Sequence, residues 1–427
     1  MTGSHSDQQT RQLQVAVNEL TVLNDIATTI SSMQPVEEII DQIIMKCIKH
    51  LAVEEGTISL LEKESPDQAF MTMIRRQDTT ADRLPIKLDT KLTGWMLRNR
   101  SILLSNDIHD DDRFQFMKDD ESEFQSILSV PLIVKNDLIG YLAVFNKKNT
   151  DGFTDEDKRL LSIIGSQSAQ VIENARLYEE EKALLSLQEE MKMAKNIQLN
   201  LLPKSNPELK GYEVAALNIP AKSVGGDYYD FILLDSGKTG FCVGDITGKG
   251  MPAAMLMANL QATLRSQCTI FEDPGTCLKG TNKQLHRSTE ATKFATLFYG
   301  VLDQENGTLE YANGGHDAPL LYRKNDPVKE LNATGLLLGV MPESDYTIGR
   351  IELEPGDLLA LYTDGITEAM DKAGNEYGFD RLKTQLSGMA HESAETIKEG
   401  LLKDLKSHTG EAAQSDDITL MLIKRTT

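Results

Sequence analysis

The sequence predicts an α+β protein in which two sheet-containing units are joined by a long helix. Three observations carry this prediction. Short apolar runs alternate with turns rich in glycine and aspartate in both halves of the chain, which is typical of antiparallel strands. Segments with apolar residues at helical spacing flank these runs. Between the halves, residues 170–202 contain neither proline nor glycine and place apolar residues at heptad spacing.

Composition limits the class of protein. The chain has 427 residues, enough for two or three domains, and a formal net charge of −21. That charge argues against a nucleic-acid partner, since neutralising phosphates needs a basic face, and it disfavours docking on an anionic membrane. The four cysteines lie far apart without CxxC spacing and predict reduced, packed thiols. No signal-like start and no membrane-spanning apolar run is evident, so we expect a cytoplasmic protein.

The elements of the first unit follow from local patterns. Residues 1–12 are polar and predict a disordered tail, and residues 13–33 have the apolar spacing of a helix. Pro35 opens a second helix. Thr154 predicts the start of a helix from 155 to about 178, with Asp157 completing a capping box. Strand-like runs lie at residues 56–61, 70–74, 129–134 and 139–145, and the turn at 135–137 predicts a hairpin.

This first unit, residues 13–175, resembles the GAF sensor family. The resemblance rests on segments spread over the whole unit, at residues 94–95, 107, 112–114, 129–132, 139–140, 146–147, 152–157 and 160–161. GAF domains that bind cyclic nucleotides carry a signature that Asn146, Lys147, Phe153 and Asp157 match. Lys158 departs from it, because the signature has glutamate there. The signal that the domain senses therefore stays open between a small molecule and a protein.

Residues 176–203 predict a helical linker. Leu177, Leu184 and Met191 form one heptad series, and Leu187, Ala194 and Leu201 form a second series offset by three residues. This seam favours a two-stranded coiled coil, and hence a homodimer through the linker helix. The alternative is a single amphipathic helix lying on one of the domains. Pro203 and Pro207 end the helix.

Four aspartates carry the chemistry of the second half. Asp227, Asp245 and Asp364 are interpreted as following apolar strand-like runs, and Asp416 opens one. An aspartate beside a glycine is usually turn chemistry, but four in this pattern predict hard oxygen ligands at one end of a sheet. Such ligands suit Mg²⁺ or Mn²⁺.

The second half also predicts its own elements. Asn306-Gly307 is a strong hairpin signal, and residues 418–423 are apolar on both faces, as a central strand would be. Pro252 starts a helix that is rich in alanine and methionine, from 253 to about 265. The segment 244–250 is not a nucleotide-binding P-loop, because its glycines are too close and Gly250 stands where a serine or threonine would hold Mg²⁺.

Residues 204–427 resemble the SpoIIE/RsbU-type branch of the metal-dependent Ser/Thr protein phosphatases, the PPM family. The resemblance rests on ordered segments at residues 220–230, 244–254, 312–319, 338–339, 362–369 and 415–419, and on 194–203 upstream. It implies an α/β/β/α sandwich of two antiparallel sheets flanked by helices. It also implies a centre for two Mn²⁺ or Mg²⁺ ions at one end of that sandwich.

The resemblance assigns roles to residues of this chain. Asp245 would bridge the two metal ions and Ile246 would offer its backbone carbonyl. Asp364 and Asp416 would complete one metal site, and Asp227 would serve the other. Two divalent ions would then lower the pKa of a water molecule that attacks phosphorus in line.

Some roles stay open. Asp417 adjoins Asp416 and is the second candidate ligand at that position. The related eukaryotic enzymes grip phosphate with an arginine, and no arginine lies near Asp227, so Lys222 or Lys249 could replace it; a solvated turn lysine is the alternative. His316 is a candidate general acid, or a histidine packed at a strand turn.

The resulting hypothesis is a phosphoserine or phosphothreonine phosphatase that the GAF domain gates through the helix. By resemblance, its substrate would be a phosphorylated STAS-type anti-sigma-factor antagonist. Alternatives are a pseudophosphatase that binds the antagonist without turnover, and a GAF receptor that mainly dimerises. The helix at 253–265, with Met255 and Met257, is either a switch that moves a metal ligand or ordinary core packing.

Overall fold

The structure is a computed structural model of the chain. It describes residues 34–61, 70–76, 86–117, 124–289, 292–324 and 326–427, together with Val17, Thr21 and Asn24, which are helical. The predicted tail and the rest of the predicted helix at 13–33 lie outside these residues. The chain divides into two compact units, Met1–Ser186 and Leu187–Thr427.

The first unit is built on one antiparallel sheet of five strands in the order β2-β1-β5-β4-β3. Helices α1 and α3 pack with one face of this sheet, through a shared apolar cluster. The elements are α1 Val36–Leu51, β1 Val53–Leu61, β2 Phe70–Arg76, α2 Ile86–Asn99, β3 Leu103–Ser105, a 3₁₀ turn Asp112–Met117, β4 Ile127–Val134, β5 Asp137–Lys147 and α3 Asp155–Leu201.

The hairpin predicted at residues 135–137 is confirmed. Strand β4 pairs with β5 from Val134 opposite Asp137, so Lys135 and Asn136 form a two-residue turn. Both turn residues have positive φ, 49° and 75°, as a type I′ turn requires. Asparagine adopts that conformation more easily than most residues, which explains the local sequence.

The capping box at the start of α3 is also confirmed, and it is tied to β5. The amide of Asp157 donates to Thr154 Oγ1 (3.3 Å), and the amide of Thr154 donates to Asp157 Oδ2 (2.9 Å). Lys147 Nζ donates to Asp157 Oδ1 (2.7 Å) and to the carbonyl of Leu51 (2.8 Å). Lys147 and Asp157, which match the cyclic-nucleotide signature, therefore bind one another and hold the fold together.

Helix α3 is a single helix of 47 residues that includes both the predicted closing helix and the predicted linker. Its first turns are buried in the first unit, at residues such as Leu161, Ile164 and Ile172. Leu177, Leu184 and Leu187 are more than half exposed. The helix therefore presents an apolar seam, and the coiled coil through that seam stays a prediction.

The second unit contains two five-stranded antiparallel sheets, with the orders β13-β10-β9-β8-β7 and β12-β11-β14-β15-β6. The strands are β6 Tyr212–Ile219, β7 Tyr228–Leu233, β8 Thr239–Ile246, β9 Ala295–Asp303, β10 Thr308–Gly314, β11 Leu320–Tyr322, β12 Lys329–Glu330, β13 Gly349–Glu352, β14 Leu358–Tyr362 and β15 Ile418–Arg425. The helices are α4 Met251–Cys268, α5 Pro274–Ser288, α6 Asp364–Thr367, α7 Phe379–Met389 and α8 Ala394–Thr409.

Strand alternation builds the layers of this unit. Leu359 and Leu361 of β14 join the cluster that includes the first sheet, α4 and α5. Leu358 and Ala360 of the same strand face the other way and pack with α7 and α8. Because successive side chains of a strand point to opposite faces, the two clusters are separate layers. The predicted α/β/β/α sandwich is confirmed, as is the central position of β15 between β14 and β6.

Two further features follow from the described residues. Among these residues, no helix is both long enough and apolar enough to cross a bilayer. Cys47, Cys242, Cys268 and Cys277 are all buried free thiols, as their spacing predicted.

Candidate active site

Two of the four aspartates are neighbours at one edge of the first sheet of the second unit. Strands β7 and β8 are antiparallel, with Tyr228 opposite Gly244. Asp227 immediately precedes β7 and Asp245 is near the end of β8, so the two residues lie side by side. The interpretation that Asp227 follows a strand was wrong: it precedes one, and antiparallel pairing brings a strand start beside a strand end.

The second sheet provides the other pair by the same geometry. Strands β14 and β15 are antiparallel, with Tyr362 opposite Leu420. Asp364 follows the end of β14, and Asp416 precedes the start of β15. Each sheet thus contributes one strand start and one strand end to the site.

The four aspartates are close enough that the charge of one raises the pKa of another. Burial, and then the charge of Asp245, raises the pKa of Asp227 well above its usual value. Burial, and then the charges of Asp364 and Asp416, raises the pKa of Asp245 to about 6. Burial and the charge of Asp416 raise the pKa of Asp364. The site concentrates negative charge where solvent screens it poorly.

Asp227 is held by side chains of the opposite sheet. Thr363 Oγ1 and Thr419 Oγ1 both donate to Asp227 Oδ2, at 2.7 Å and 2.5 Å. Thr363 lies at the end of β14 and Thr419 in β15, so these bonds join the two sheets at the edge where the aspartates meet. One carboxylate oxygen of Asp227 is therefore fixed in orientation.

Asp417 differs from Asp416. The Asp417 carboxylate accepts from the amide of Ala221 (2.7 Å) and from the amide of Gly226 (2.6 Å). A Cβ on Gly225 would lie 2.3 Å from Asp417 Oδ2, so only glycine permits this approach. The carboxylate of Asp417 thus organises the loop before Asp227. The geometry disfavours Asp417 as a metal ligand and favours its neighbour.

The donor set fits hard divalent cations. Burial and neighbouring carboxylates raise the pKa values of Asp227, Asp245 and Asp364, so the site has an excess of negative charge that a cation would balance. A Cβ on Gly226 would lie 2.9 Å from the carbonyl oxygen of Ile246, so the glycine leaves space beside that potential ligand. Within the described ranges, no group of three or more acidic, histidine or cysteine side chains is close enough together to hold a metal ion. The fit therefore rests on charge and donor type.

Three lysines surround the loop between β8 and α4. Lys249 Nζ pairs with Asp416 Oδ2 (2.9 Å) and donates to the carbonyl of Ser415 (2.6 Å). Two other lysines approach the glycines of this loop. If Gly250 carried a Cβ, that atom would lie 3.8 Å from Lys222 Cδ, and a Cβ on Gly248 would lie 3.2 Å from Lys293 Nζ. Sequence reasoning identified Lys222 and Lys249 but missed Lys293, because no motif relates it to this loop.

His316 is buried beside the site rather than presented to it. Its Nδ1 lies 2.9 Å from Thr296 Oγ1, and its backbone amide donates a hydrogen bond to Asn313 Oδ1 (2.8 Å). Burial lowers the pKa of His316 to about 4. A histidine that is neutral at pH 7 has no proton of ordinary acidity to give, so this geometry favours packing at a strand turn over general acid catalysis.

The end of helix α3 contacts the loop that carries Asp227. The amide of Gly225 donates to Gln198 Oε1 (3.1 Å), and Gln198 Nε2 donates to the carbonyl of Gly225 (2.6 Å). Both backbone groups of Gly225 are thus satisfied by one side chain. Sequence reasoning included Gln198 only in the segment that precedes the domain and gave it no role.

Helix α4 is anchored at its C-terminal half. Arg265 forms two hydrogen bonds to the buried carboxylate of Asp230, at 2.7 Å and 2.9 Å. Met257 is fully buried, whereas Met255 is 69% exposed. The burial of Met257 is explained by its packing in the core. The hypothesis that this helix acts as a switch is therefore tested at the exposed Met255.

Comparison with known proteins agrees with this fold. Residues 235–426 match the family described as Stage II sporulation protein E (SpoIIE), and residues 34–173 match a GAF domain family. The chain is 31% identical over 258 residues to the phosphoserine phosphatase RsbU of Bacillus subtilis, covering 58% of this chain and 75% of that protein. The chain belongs to the SpoIIE/RsbU-type family of PP2C-like serine/threonine phosphatases and carries a GAF domain.

Other similarities are partial. The chain is 31% identical over 264 residues to the protein IcfG of Synechocystis, covering 55% of this chain and 41% of that protein. It therefore spans less than half of that relative. The solved SiaA PP2C domain of Pseudomonas aeruginosa superimposes with a TM-score of 0.51 at 23% identity, covering 57% of this chain and 98% of that domain, and supports the fold.

Proposed function

We propose that this protein is a metal-dependent phosphatase that hydrolyses phosphoserine or phosphothreonine in a protein. The observation that carries the proposal is the position of Asp227, Asp245, Asp364 and Asp416 at neighbouring strand ends of two sheets, where burial and nearby carboxylates raise the pKa values of the first three. Structural aspartates are normally paired with cations or amide donors. A buried group of carboxylates that repel one another is typical of a site that holds metal ions.

The chain's own residues have separable roles in this proposal. Asp245 would contribute to holding both Mn²⁺ or Mg²⁺ ions, and Ile246 would contribute its backbone carbonyl. Asp364 and Asp416 would hold one ion, and Asp227 would hold the other. Bound ions supply an activated water molecule and neutralise charge that develops on the phosphoryl group. No cysteine or serine nucleophile is needed.

Lysines would take the place of a phosphate-binding arginine. Lys249 already neutralises Asp416 across 2.9 Å, so its ammonium group lies at the edge of the carboxylate cluster. Lys222 and Lys293 lie over the two glycines of the same loop. In a chain of net charge −21, three lysines around one loop provide the local positive charge that an anionic substrate needs.

The GAF domain would regulate this centre through helix α3, and the whole chain would form a homodimer. Gln198 of that helix bonds to both backbone groups of Gly225, two residues before Asp227. A shift or rotation of the helix end would therefore move the loop that positions a metal ligand. The exposed seam of Leu177, Leu184 and Leu187 supports a second chain as the partner of the helix.

The proposed substrate is a phosphoserine protein of the STAS type, an anti-sigma-factor antagonist in a partner-switching pathway. The named activity of the relative RsbU, a phosphoserine phosphatase, supports this choice of phosphoamino acid. Lys147 and Asp157, two of the residues that match the cyclic-nucleotide signature of GAF domains, form an ion pair with each other. Their match to the signature is therefore explained by the fold and does not identify the signal of the GAF domain.

The test is phosphatase activity of the purified chain with Mn²⁺ and with EDTA. Substrates are p-nitrophenyl phosphate and a phosphoserine STAS protein, and variants are Asp245→Ala and Asp364→Ala. We expect Mn²⁺-dependent turnover that both substitutions abolish. Asp235→Ala is the matched control, because Asp235 is exposed and lies outside the cluster. Binding of the STAS protein without any turnover would contradict the proposal and favour a scaffold.

A further inference from the structure

A cavity of about 480 Å³ is lined in part by the two chain segments that carry Asp364 and Asp416. Its walls include Gly365 and Ser415, which are bonded directly to Asp364 and Asp416. The opposite wall is the C-terminal half of α8, with Leu402 and Leu405. The two chain segments that carry half of the proposed metal ligands therefore also form one side of this cavity.

The cavity is apolar and accessible from outside. Ile219 and Met370 line it and are 40% and 43% exposed, and Ala413 is also exposed at its edge. Ala369, Leu405 and Ile418 form buried parts of the lining. Exposed apolar surface around a concave site is typical of a place where another molecule binds.

The charged residues of the cavity lining indicate which kind of molecule could bind in the cavity. Lys406 is the single charged residue among the described lining residues, and none of the described residues forms an ion pair with it. The second copy of this chain in the proposed dimer binds at the seam of α3, and none of the seam residues Leu177, Leu184 and Leu187 lines this cavity. A phosphorylated segment with apolar side chains matches both the lysine and the apolar lining.

We propose that this cavity is a docking site for the substrate protein, which receives the apolar side chains that flank the phosphoserine. The proposal rests on the proposed function and extends it to substrate selection. Metal-centre chemistry acts on the phosphoryl group alone, so discrimination among phosphoproteins has to come from adjacent surface. Because Gly365 and Ser415 line this cavity and are the sequence neighbours of Asp364 and Asp416, residues that flank a phosphoserine bound at those carboxylates would lie near it.

The experiment compares two phosphoserine nonapeptides that carry leucine or serine at the flanking positions, alongside p-nitrophenyl phosphate. The variants are Ala413→Trp, which fills the cavity from its exposed edge, and Met370→Ser, which makes its rim polar. Met341→Ser is the matched control, since Met341 is 52% exposed and lies outside the lining. All measurements use the full chain with Mn²⁺.

We expect the wild type to prefer the leucine peptide by roughly tenfold or more in kcat/KM, as pocket discrimination of apolar groups allows. Both cavity variants should lose most of that preference through a higher KM, while hydrolysis of p-nitrophenyl phosphate stays unchanged. The control should behave as the wild type.

Three outcomes would overturn the inference: equal rates on the two peptides, a preference that both variants retain, or altered oligomer mass in the variants with unchanged kinetics. A non-phosphorylated leucine peptide that stimulates ester hydrolysis without competing would also overturn it, because the cavity would then be an effector site. Failure of the proposed function looks different, since no phosphate ester would be hydrolysed at all.

Discussion

At the scale of single residues, the negative charge of Asp245 does not stabilise the folded state of the metal-free protein. Its pKa is raised to about 6, so at neutral pH the folded state holds an ionised carboxylate that burial and the charges of Asp364 and Asp416 penalise. For a carboxyl group with a raised pKa, the folded state is favoured at low pH, and this stability is lost as pH rises through the folded value.

Asp245→Asn should therefore stabilise the metal-free protein while abolishing turnover. At pH 7.5 in EDTA we expect a gain of about 1–3 kcal/mol, or roughly a few degrees in Tm. The measurement is calorimetric unfolding in EDTA and in Mn²⁺. Asp235→Asn is the control, as an exposed aspartate outside the cluster. Mn²⁺ should stabilise the wild type far more than Asp245→Asn; equal stabilisation would contradict the assignment.

His316 provides a pH test of the opposite kind. Burial lowers its pKa to about 4, below the unfolded value of about 6.5. Between these values the unfolded chain binds a proton that the folded chain does not, so acidification favours unfolding. From pH 7.5 to pH 5 this group should cost about 2 kcal/mol, and His316→Gln should lack that part. Urea unfolding of the wild type and of His316→Gln at both pH values measures this difference in the free energy of unfolding. Equal losses of stability in the two proteins would contradict the prediction.

At the scale of elements, one side chain links helix α3 to the Asp227 loop. Gln198→Ala removes both hydrogen bonds to Gly225, so the loop should lose its fixed position. Residues that orient metal ligands typically contribute tenfold to 100-fold in metal affinity, and we expect roughly a tenfold weaker affinity for Mn²⁺. Calorimetric titration with Mn²⁺ measures this directly. Gln188→Ala, at an exposed position of the same helix, should leave the affinity unchanged.

The sequence allowed much of this to be predicted where a residue's role depends on its neighbours along the chain. Asn136 and Asn306-Gly307 specify hairpins through their own backbone preferences, and Thr154 with Asp157 specifies a helix start. The carboxylates of the site could be found because each stands beside a strand-like run. The same pattern predicted their grouping at one end of a sheet, and the family resemblance assigned each one its role.

Other roles depend on contacts between distant segments, and the sequence alone did not contain them. Asp416 and Asp417 are adjacent, and only the contacts of Asp417 with the amides of Ala221 and Gly226 distinguish them. The position of Lys293 near Gly248 and the bonds of Gln198 to Gly225 join residues that no local pattern relates. Such roles become visible only once the sheets have formed.

At the scale of the whole molecule, the long helix α3 is shared by the two units. Its residues up to Ser186 belong to the first unit, and those from Leu187 belong to the second. A signal received by the GAF domain would therefore have a continuous covalent path toward the unit that carries the four aspartates. Whether that path acts through one chain or two depends on the exposed seam of the helix.

Leu184→Asp should convert a dimer into a monomer, because it places a charge in the centre of the proposed seam, where Leu184 is 55% exposed in the single chain. Leu185→Asp is a matched control: Leu185 is 54% exposed on the same helix but outside the heptad seam. Light scattering coupled to size-exclusion chromatography gives the mass of each. A mass near twice 47.4 kDa for the wild type and the control, and near 47.4 kDa for Leu184→Asp, is expected. If all three have the mass of one chain, the helix acts as a single amphipathic element, and regulation through α3 has to operate within one molecule.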